Sequence, residues 1–371
     1  VEGAFYVWKK TEIEQILTAD EARIFCHHYS VDVTGNVHSD PHQEFTGKNI
    51  LFNPFTVEQT AEQLSVSAEE VRRLLVSSRQ KLFVARKNRY RPLRDDKVLT
   101  SWNGLMIGAC ARGASALNNK NYLQAAERAA KFVYATLYDR EKKTLFRRFR
   151  DGEVKFEAHL DDYAFVVSGL IDLYGASFDP HWLQWAEELT GSMITLFWDS
   201  AEGGFFDMSG KDPSILVRMK EAYDGAEPTG NSVAVMNLLQ LFHFTNNEQL
   251  LSYAVKSLKY FCALLEQSPQ IMPRMMAAVE YFLAVPEHLV ITVQNVDDAK
   301  QMIDIASAVF RPYMNIVMMD EQGKKIFVSR FPFMSEMVSK NGRATAYLCM
   351  DHMCQQPTVE PEELLRLLDH N

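Results

Sequence analysis

Apolar and polar residues alternate along the middle of the chain with the period of α-helices, and the helical segments come in contrasting pairs. The first segment of each pair is apolar on nearly every side, at residues 104–117, 164–176 and 232–244. The second has one charged face, at residues 122–137, 182–197 and 248–266. A helix that is apolar all round is buried, whereas an amphipathic helix covers a core with one face. The pattern therefore predicts inner helices that are each followed by an outer helix.

The helix pairs also repeat in sequence. Residues 122–127 resemble residues 182–187, at an offset of 60, and residues 250–254 resemble the same segment at an offset of 128. Repeated inner and outer helices close into an α/α toroid, with an open α-solenoid as the alternative. The long connecting segments, which we call excursions, all lie between an outer helix and the next inner helix. They have the character of pocket walls, and for this reason we favour the toroid.

The pattern of apolar positions changes after residue 286. Residues 289–293 and 315–319 have the character of buried strands, and the amphipathic segment 297–310 lies between them. This order predicts a small β-α-β insertion, and no glycine fingerprint follows its first strand to indicate a nucleotide. We expect a toroid over residues 1–286, the α/β insertion over residues 287–345, and a return to the toroid over residues 346–371.

Charge and composition narrow the function. The chain has 371 residues and a net charge of −9, and an acidic balance without a Lys/Arg stripe argues against nucleic acid as the main partner. No apolar run is long enough for a membrane span, so no membrane partner is expected. Five scattered cysteines suggest a reducing compartment such as the cytoplasm, with Cys349 and Cys354 as free thiols. The chain starts at Val1 as if within a domain, so we suspect a piece of a longer protein.

The starts of the inner helices are the candidate ligand site. In a toroid these ends gather at one mouth of the ring, where helix dipoles favour anionic or hydroxyl-rich ligands. Aromatic rings, carboxylates and amides together suit a carbohydrate-like small molecule. The candidate ligand-binding residues are Trp102, Asn103, Asp161, Tyr163, Asp224, Asn231 and Asp96.

Three further residues are candidates for acid or base catalysis. Asp162 is expected to face the cavity, whereas the adjacent Asp161 is expected to cap its helix. Glu227 lies in an unusual turn of glycines, proline and carboxylates, and His159 directly precedes the acidic pair. Paired carboxylates at the right separation permit glycosidic chemistry, although helix caps are the simpler explanation of such residues. The spacing of histidines and cysteines matches no metal motif, and we expect neither a metal nor a cofactor.

Several segments together resemble the spermatogenesis-associated protein 20 family and its bacterial relatives. The matching motifs are residues 2–8, 99–106, 161–165, 224–228 with Asn231-Ser232, and 346–349 with Cys354 and Pro357. The resemblance implies a thioredoxin-like domain with a cysteine-rich motif, followed by a six-hairpin α/α toroid similar to N-acylglucosamine 2-epimerases and cellobiose epimerases. This chain has no such cysteine motif, so the resemblance implies that it corresponds to the toroid part, and we expect it to lack the first helices of that toroid. The family name links it to spermatogenesis.

Two functional hypotheses follow. The first is an enzyme of the sugar epimerase, isomerase or glycoside hydrolase type, in which Asp162 and Glu227 exchange protons and Trp102 and Tyr163 stack on the sugar. Those epimerases use histidines, and His159 is the one histidine at the expected mouth. The second is a non-catalytic binding module that works with the upstream thioredoxin-like domain. Carboxylates satisfied by backbone amides would favour the module.

Overall fold

The computed structural model describes residues 3–37, 39–211, 215–350 and 353–369, so Glu2 of the first motif lies outside the described residues. Its contacts divide the chain into two compact units, Val1–Asp95 and Asp96–Asn371. The division falls inside the span of residues 1–286 that the sequence assigned to the toroid. Each unit has a hydrophobic core of its own.

The described part of the first unit contains four helices. Its helices are α1 (Lys10–Ile16), α2 (Ala19–His28), α3 (Val57–Leu64) and α4 (Ala68–Arg86). Thr18, Thr56 and Ser67 cap three of them, because each side-chain oxygen accepts a hydrogen bond from the amide three residues later. Buried Phe25 and Leu75 belong to the core between the helices.

The second unit begins with the repeated helix pairs that the sequence predicted. The elements up to residue 283 are β1 (Val98–Leu99), α5 (Thr100–Ala116), α6 (Lys120–Phe132), β2 (Tyr138–Asp139), β3 (Thr144–Arg150), β4 (Glu153–Glu157), α7 (Leu160–Ser177), α8 (Pro180–Phe197), α9 (Gly230–Thr245), α10 (Glu248–Gln267) and α11 (Pro273–Leu283). The inner helices α5, α7, α9 and α11 pack in succession, and α6, α8 and α10 pack outside the first three. This mainly α arrangement is that of an α/α toroid.

The inner helices α5 and α7 approach each other closely because both carry glycine at the contact. A Cβ atom on Gly104 would lie 2.5 Å from the carbonyl carbon of Phe165. A Cβ atom on Gly169 would lie 2.4 Å from the carbonyl oxygen of Gly104. The small residues of α5 thus bring the starts of two inner helices together.

The excursion after α6 forms a small antiparallel sheet. Strand β3 pairs with β1, β2 and β4, and Arg148 lies opposite both Leu99 and Lys155. In the next excursion, Phe205 forms a bridge with Trp198. The sheet places the side chains of β3 beside the start of α7.

The C-terminal part is an α/β layer around one sheet. Its elements are β5 (Glu287–Thr292), α12 (Lys300–Ala308), β6 (Met314–Met319), α13 (Glu321–Arg330), β7 (Thr345–Met350), β8 (Met353–Cys354) and α14 (Pro361–Asp369). The strands lie in the order β6-β5-β7-β8, with β5 and β6 parallel, which confirms the β-α-β unit.

The end of the chain differs from the sequence expectation in two respects. Strand β7 pairs antiparallel with β5, and α14 packs on α12, so these two elements extend this layer, where a return to the toroid was expected. The reason is that β7 is a buried apolar strand that completes the sheet. Cys349 and Cys354 lie opposite each other on β7 and β8 and form a disulfide, where free thiols were expected. No helix of the described ranges combines the length and the apolar character that crossing a membrane requires.

Candidate functional site

A cavity of about 730 Å³ lies at the starts of α5, α7 and α9, and we call it the mouth cavity. Each of these three helices contributes lining residues from its first turn or from the segment that leads into it. The charged and aromatic residues that line it are Trp102, Arg147, His159, Asp161, Phe165, Asp207, Glu221, Tyr223 and Glu227. The prediction that the inner helices start at one shared hollow is therefore correct for these three.

Asp161 and Asp162 of α7 have the opposite roles to those predicted from the sequence, which placed Asp162 in the cavity and Asp161 at the helix cap. Asp162 is fully buried, and its carboxylate accepts hydrogen bonds from the amides of Ser101 and His159, both at 2.9 Å. Asp161 lines the mouth cavity. The expectation that Asp162 faces the cavity is wrong because it is the third residue of α7, where a carboxylate turns back to the N-cap amide. The N-cap residue is His159. A capping box usually begins with Ser or Thr, so the sequence pattern did not indicate one here.

Arg147 of β3 holds both acids. Its Nη1 donates to Asp162 at 2.8 Å and to Asp161 at 3.0 Å. Burial, with the charge of Asp161, raises the pKa of Asp162 to about 7, while Arg147 and the two amides act in the opposite direction. The guanidinium is thus already paired within the protein, and the carboxylate of Asp161 is anchored from one side.

His159 lies half-buried at the edge of the mouth cavity. Burial and the nearby charge of Arg147 lower its pKa. The imidazole is therefore neutral at neutral pH, which is the form that accepts a proton. Its predicted position beside the cavity agrees with the structure.

Glu227 and Trp102 meet across the opening. The indole Nε1 of Trp102 donates to a Glu227 carboxylate oxygen at 3.2 Å, and 62% of Trp102 is exposed. Asp224, in contrast, accepts hydrogen bonds from the amides of Thr229 and Arg274, each at 2.8 Å. It therefore joins the starts of α9 and α11, and it does not line the cavity.

The other four candidates lie outside the lining. Tyr163 is buried, and its hydroxyl oxygen accepts from the Leu145 amide, so its ring cannot stack on a ligand in the mouth cavity. The side-chain amide of Asn103 donates to the carbonyl oxygen of Leu99. The side chain of buried Asn231 accepts from the Phe205 amide and donates to the Phe205 carbonyl oxygen. Asp96 is exposed and does not line the cavity. Tyr163 and Asn231 were placed at the mouth because they follow helix starts, but both side chains turn into the core.

Four lining residues with ionisable side chains were not singled out from the sequence: Arg147, Asp207, Glu221 and Tyr223. All four belong to excursions, which were predicted to form pocket walls but offered no repeating pattern that selects a residue. The segment carrying Glu221 is fixed because the Asp207 amide donates to Met219 and the Glu221 amide donates to the Asp207 carboxylate. Burial, with the charges of Glu221 and Asp161, raises the pKa of Asp207 to about 6.

The described ranges contain no cluster of three or more histidine, cysteine, aspartate or glutamate side chains placed to hold a metal ion.

Comparison with known proteins identifies the family. No family model matches the chain. Spermatogenesis-associated protein 20 of Homo sapiens is 33% identical over 388 residues, which cover 99% of this chain and 49% of that protein. The Mus musculus protein of the same name is 32% identical over 389 residues, with the same coverage. The chain belongs to the spermatogenesis-associated protein 20 family. It spans about half the length of these relatives.

The solved structures to which this family member is similar include a cellobiose 2-epimerase and a GH76 α-mannanase. Cellobiose 2-epimerase from Bacillus thermoamylovorans has 14% sequence identity and a TM-score of 0.41, and the match covers 71% of this chain and 68% of that one. A GH76 α-mannanase from Bacteroides thetaiotaomicron has 17% identity and a TM-score of 0.38, with 55% and 58% covered. Likeness of this degree says nothing about which ligand the mouth cavity accepts.

Proposed function

We propose that the mouth cavity binds a neutral, carbohydrate-like ligand and exchanges protons with it. The observation that carries the proposal is the combination, in one cavity, of two exposed aromatic side chains with several carboxylates. Trp102 and Tyr223 are 62% and 63% exposed, and both line the cavity. Aromatic faces pack on the CH faces of a sugar ring, while carboxylates accept hydrogen bonds from its hydroxyl groups.

The size of the cavity suits a small molecule. Binding sites for small ligands measure about 300–1,000 Å³, and the mouth cavity has about 730 Å³. It is therefore large enough for one or two sugar rings with accompanying water.

The charges of the cavity favour a neutral ligand over an anionic one. Asp161, Asp207, Glu221 and Glu227 supply four carboxyl groups, while Arg147 is already paired with Asp161 and Asp162. Like charges repel most strongly in a partly enclosed site of low dielectric. The helix dipoles alone had suggested anionic as well as hydroxyl-rich ligands, and the lining carboxylates oppose the anionic class.

Two of the lining groups can exchange protons near neutral pH. Neutral His159 is a proton acceptor, and Asp207, with a pKa of about 6, keeps a fraction of its proton at that pH. Titratable groups whose environments set different proton occupancies are the usual acid and base of such sites. We therefore assign proton transfer to His159 and Asp207, with Asp161 and Glu227 as ligand anchors.

A non-catalytic binding module is the second candidate, and the structural roles of Asp162 and Asp224 favour it. Both carboxylates are satisfied by backbone amides, as expected of helix caps. On this proposal the cavity binds a ligand without converting it, in company with the thioredoxin-like domain that the family resemblance implies upstream.

The experiment is a panel of neutral mono- and disaccharides, followed by ligand-observed NMR for binding and for the appearance of new anomeric signals. We expect at least one neutral sugar to bind and Trp102→Ala to weaken that binding about tenfold, because a stacking face is lost. Tyr90→Ala is the matched control, since Tyr90 is 90% exposed and outside the cavity. Turnover that His159→Gln and Asp207→Asn abolish supports the enzyme, and binding without turnover supports the module. Absence of binding by every neutral sugar contradicts both.

A further inference from the structure

Helix α4 carries a stripe of residues on a face that does not pack into the core of the first unit. The side chains that it buries are Val71, Leu74, Leu75, Ser78 and Leu82. A different face of the helix, with the spacing i, i+3, i+4, i+7 and i+10, presents Val76, Arg79, Gln80, Phe83 and Arg86. Residues at this spacing share one side of a helix. This side is therefore free for a contact outside the four-helix unit.

The stripe forms one wall of a groove of about 470 Å³, which we call the α4 groove. Buried Trp8 and Phe25 also line it, and they belong to the core of the first unit. Val76 and Phe83 remain 63% and 45% exposed beside them. A groove with aromatic lining and two exposed apolar side chains suits the apolar side chains of a partner segment.

The charges at the groove are all positive. Residues 71–94 contain nine arginines and lysines and no acidic residue, a local excess that the acidic balance of the whole chain conceals. Several of these cations are paired within the unit, for example Arg72 with Glu58 and Lys81 with Glu21. Arg79 and Arg86, which line the groove, form no ion pair within the described part of the chain.

The guanidinium of Arg86 is held at the groove by aromatic rings. It lies 5.5, 5.4 and 5.8 Å from the ring centroids of Phe5, Tyr6 and Phe83. Cation–π contacts restrict the side chain without neutralising its charge. Less conformational entropy is therefore lost when a carboxylate binds to it.

We propose that the α4 groove is a docking site for an acidic amphipathic peptide segment of a partner protein. Apolar side chains of that segment would pack against the exposed Phe83 and Val76, and flanking carboxylates would pair with Arg79 and Arg86. The apolar lining favours a peptide over nucleic acid, because phosphate binding uses exposed cations and needs no apolar groove. A concave groove also favours a peptide over a membrane, because bilayer binding uses a protruding apolar face.

The test measures fluorescence anisotropy of the full chain with a labelled synthetic peptide of about fifteen residues, with Leu at i, i+3, i+4 and i+7 and Glu at the flanks. Phe83→Ala should weaken binding about tenfold, and Arg79→Ala about fivefold. Val84→Ala and Arg73→Ala are matched controls, because both residues are exposed on α4 outside the groove. They should leave the affinity within about twofold, and added salt should weaken binding.

Four outcomes would overturn the proposal. The first is no binding of the acidic peptide, and the second is an equal loss in Arg73→Ala and Arg79→Ala, which indicates general charge attraction. The third is tighter binding to phosphatidylserine vesicles or to a random RNA, with the same loss in Arg79→Ala, which assigns the groove to a membrane or a nucleic acid. The fourth is self-association in sedimentation that Phe83→Ala abolishes, which assigns the groove to a second copy of this chain.

Discussion

At the scale of single residues, one step along a helix separates a structural acid from an acid of the cavity. Asp161 and Asp162 are neighbours in the first turn of α7, yet one lines the mouth cavity and the other is fully buried. The third helical position directs the carboxylate back to the N-cap amide. Arg147, from the strand β3 that precedes the helix, donates a hydrogen bond to the carboxylate of Asp162 and compensates its charge. The sequence located both acids at the helix start, but their roles depend on this partner from another element.

The raised pKa of Asp207 predicts a pH-dependent cost in stability. Its pKa rises from 3.8 to about 6 on folding, chiefly through burial. Between these values the folded chain keeps a proton that the unfolded chain has released, so stability falls as the pH rises from about 4 to 6. Asp207→Asn removes this pH-dependent loss of stability and keeps a side-chain oxygen that accepts from the Glu221 amide. We expect its stability relative to the wild type to improve by about 1–2 kcal/mol between pH 4.5 and 7.5, after allowance for partial exposure.

Urea unfolding at the two pH values measures this difference. Asp298→Asn is the control, since Asp298 is exposed and lies far from the cavity in sequence. This substitution also removes one carboxylate, so it reports the effect of losing an exposed charge at each pH. An Asp207→Asn variant that is no better at pH 7.5 than at pH 4.5 would show that this carboxyl group titrates normally.

At the scale of elements, the contact between α5 and α7 depends on the absence of a side chain at Gly104. A Cβ atom there would meet the backbone of Phe165 and Val166 at 2.5 Å, and backbone cannot turn aside as a side chain can. We expect Gly104→Ala to lower the free energy of unfolding by about 3 kcal/mol. Chemical denaturation of the variant measures it.

The matched substitution for this prediction is Gly175→Ala in α7. A Cβ atom on Gly175 meets no atom within 4 Å. Alanine has the higher helix propensity, so this variant should be as stable as the wild type or more stable by up to about 1 kcal/mol. Equal effects of the two substitutions would mean that the close approach of α5 and α7 does not limit stability.

The predicted elements were those with a periodic pattern. The helix pairs repeat, and each inner helix is apolar all round, so the sequence located α5 to α10 and the strands β5 and β6. The pairing of β7 with β5 spans more than fifty residues and leaves no local pattern. Arg147 and Asp207 were missed for the same reason, because irregular excursions bring them to the cavity. Periodicity therefore predicts the framework of the site, and tertiary contacts decide which side chains line it.

At the scale of the whole molecule, the two units differ in charge as well as in contacts. Residues 1–95 carry equal numbers of acidic and basic residues, so the net charge of −9 belongs to residues 96–371. The acidic mouth cavity lies in the second unit and the basic α4 groove in the first. The two proposed sites therefore attract ligands of different charge, which allows each to be tested without disturbing the other.

The two hydrophobic cores share no residue, and this predicts that they unfold separately. Leu75 belongs to the core of the first unit and Leu170 to the core of the second, and both are fully buried. Replacement of such a leucine by alanine costs about 2–5 kcal/mol, because a cavity remains. We expect calorimetry to resolve two transitions, one lowered by Leu75→Ala and the other by Leu170→Ala.

Each variant serves as the control for the other, because the chemical change is the same and only the core differs. If the cores unfold independently, the transition of the unsubstituted unit keeps its midpoint within about 1 °C, since substitutions that share no partner residue do not couple. If both transitions shift together in either variant, folding of one unit stabilises the other. The division after Asp95 would then separate two groups of contacts but not two independently folding units.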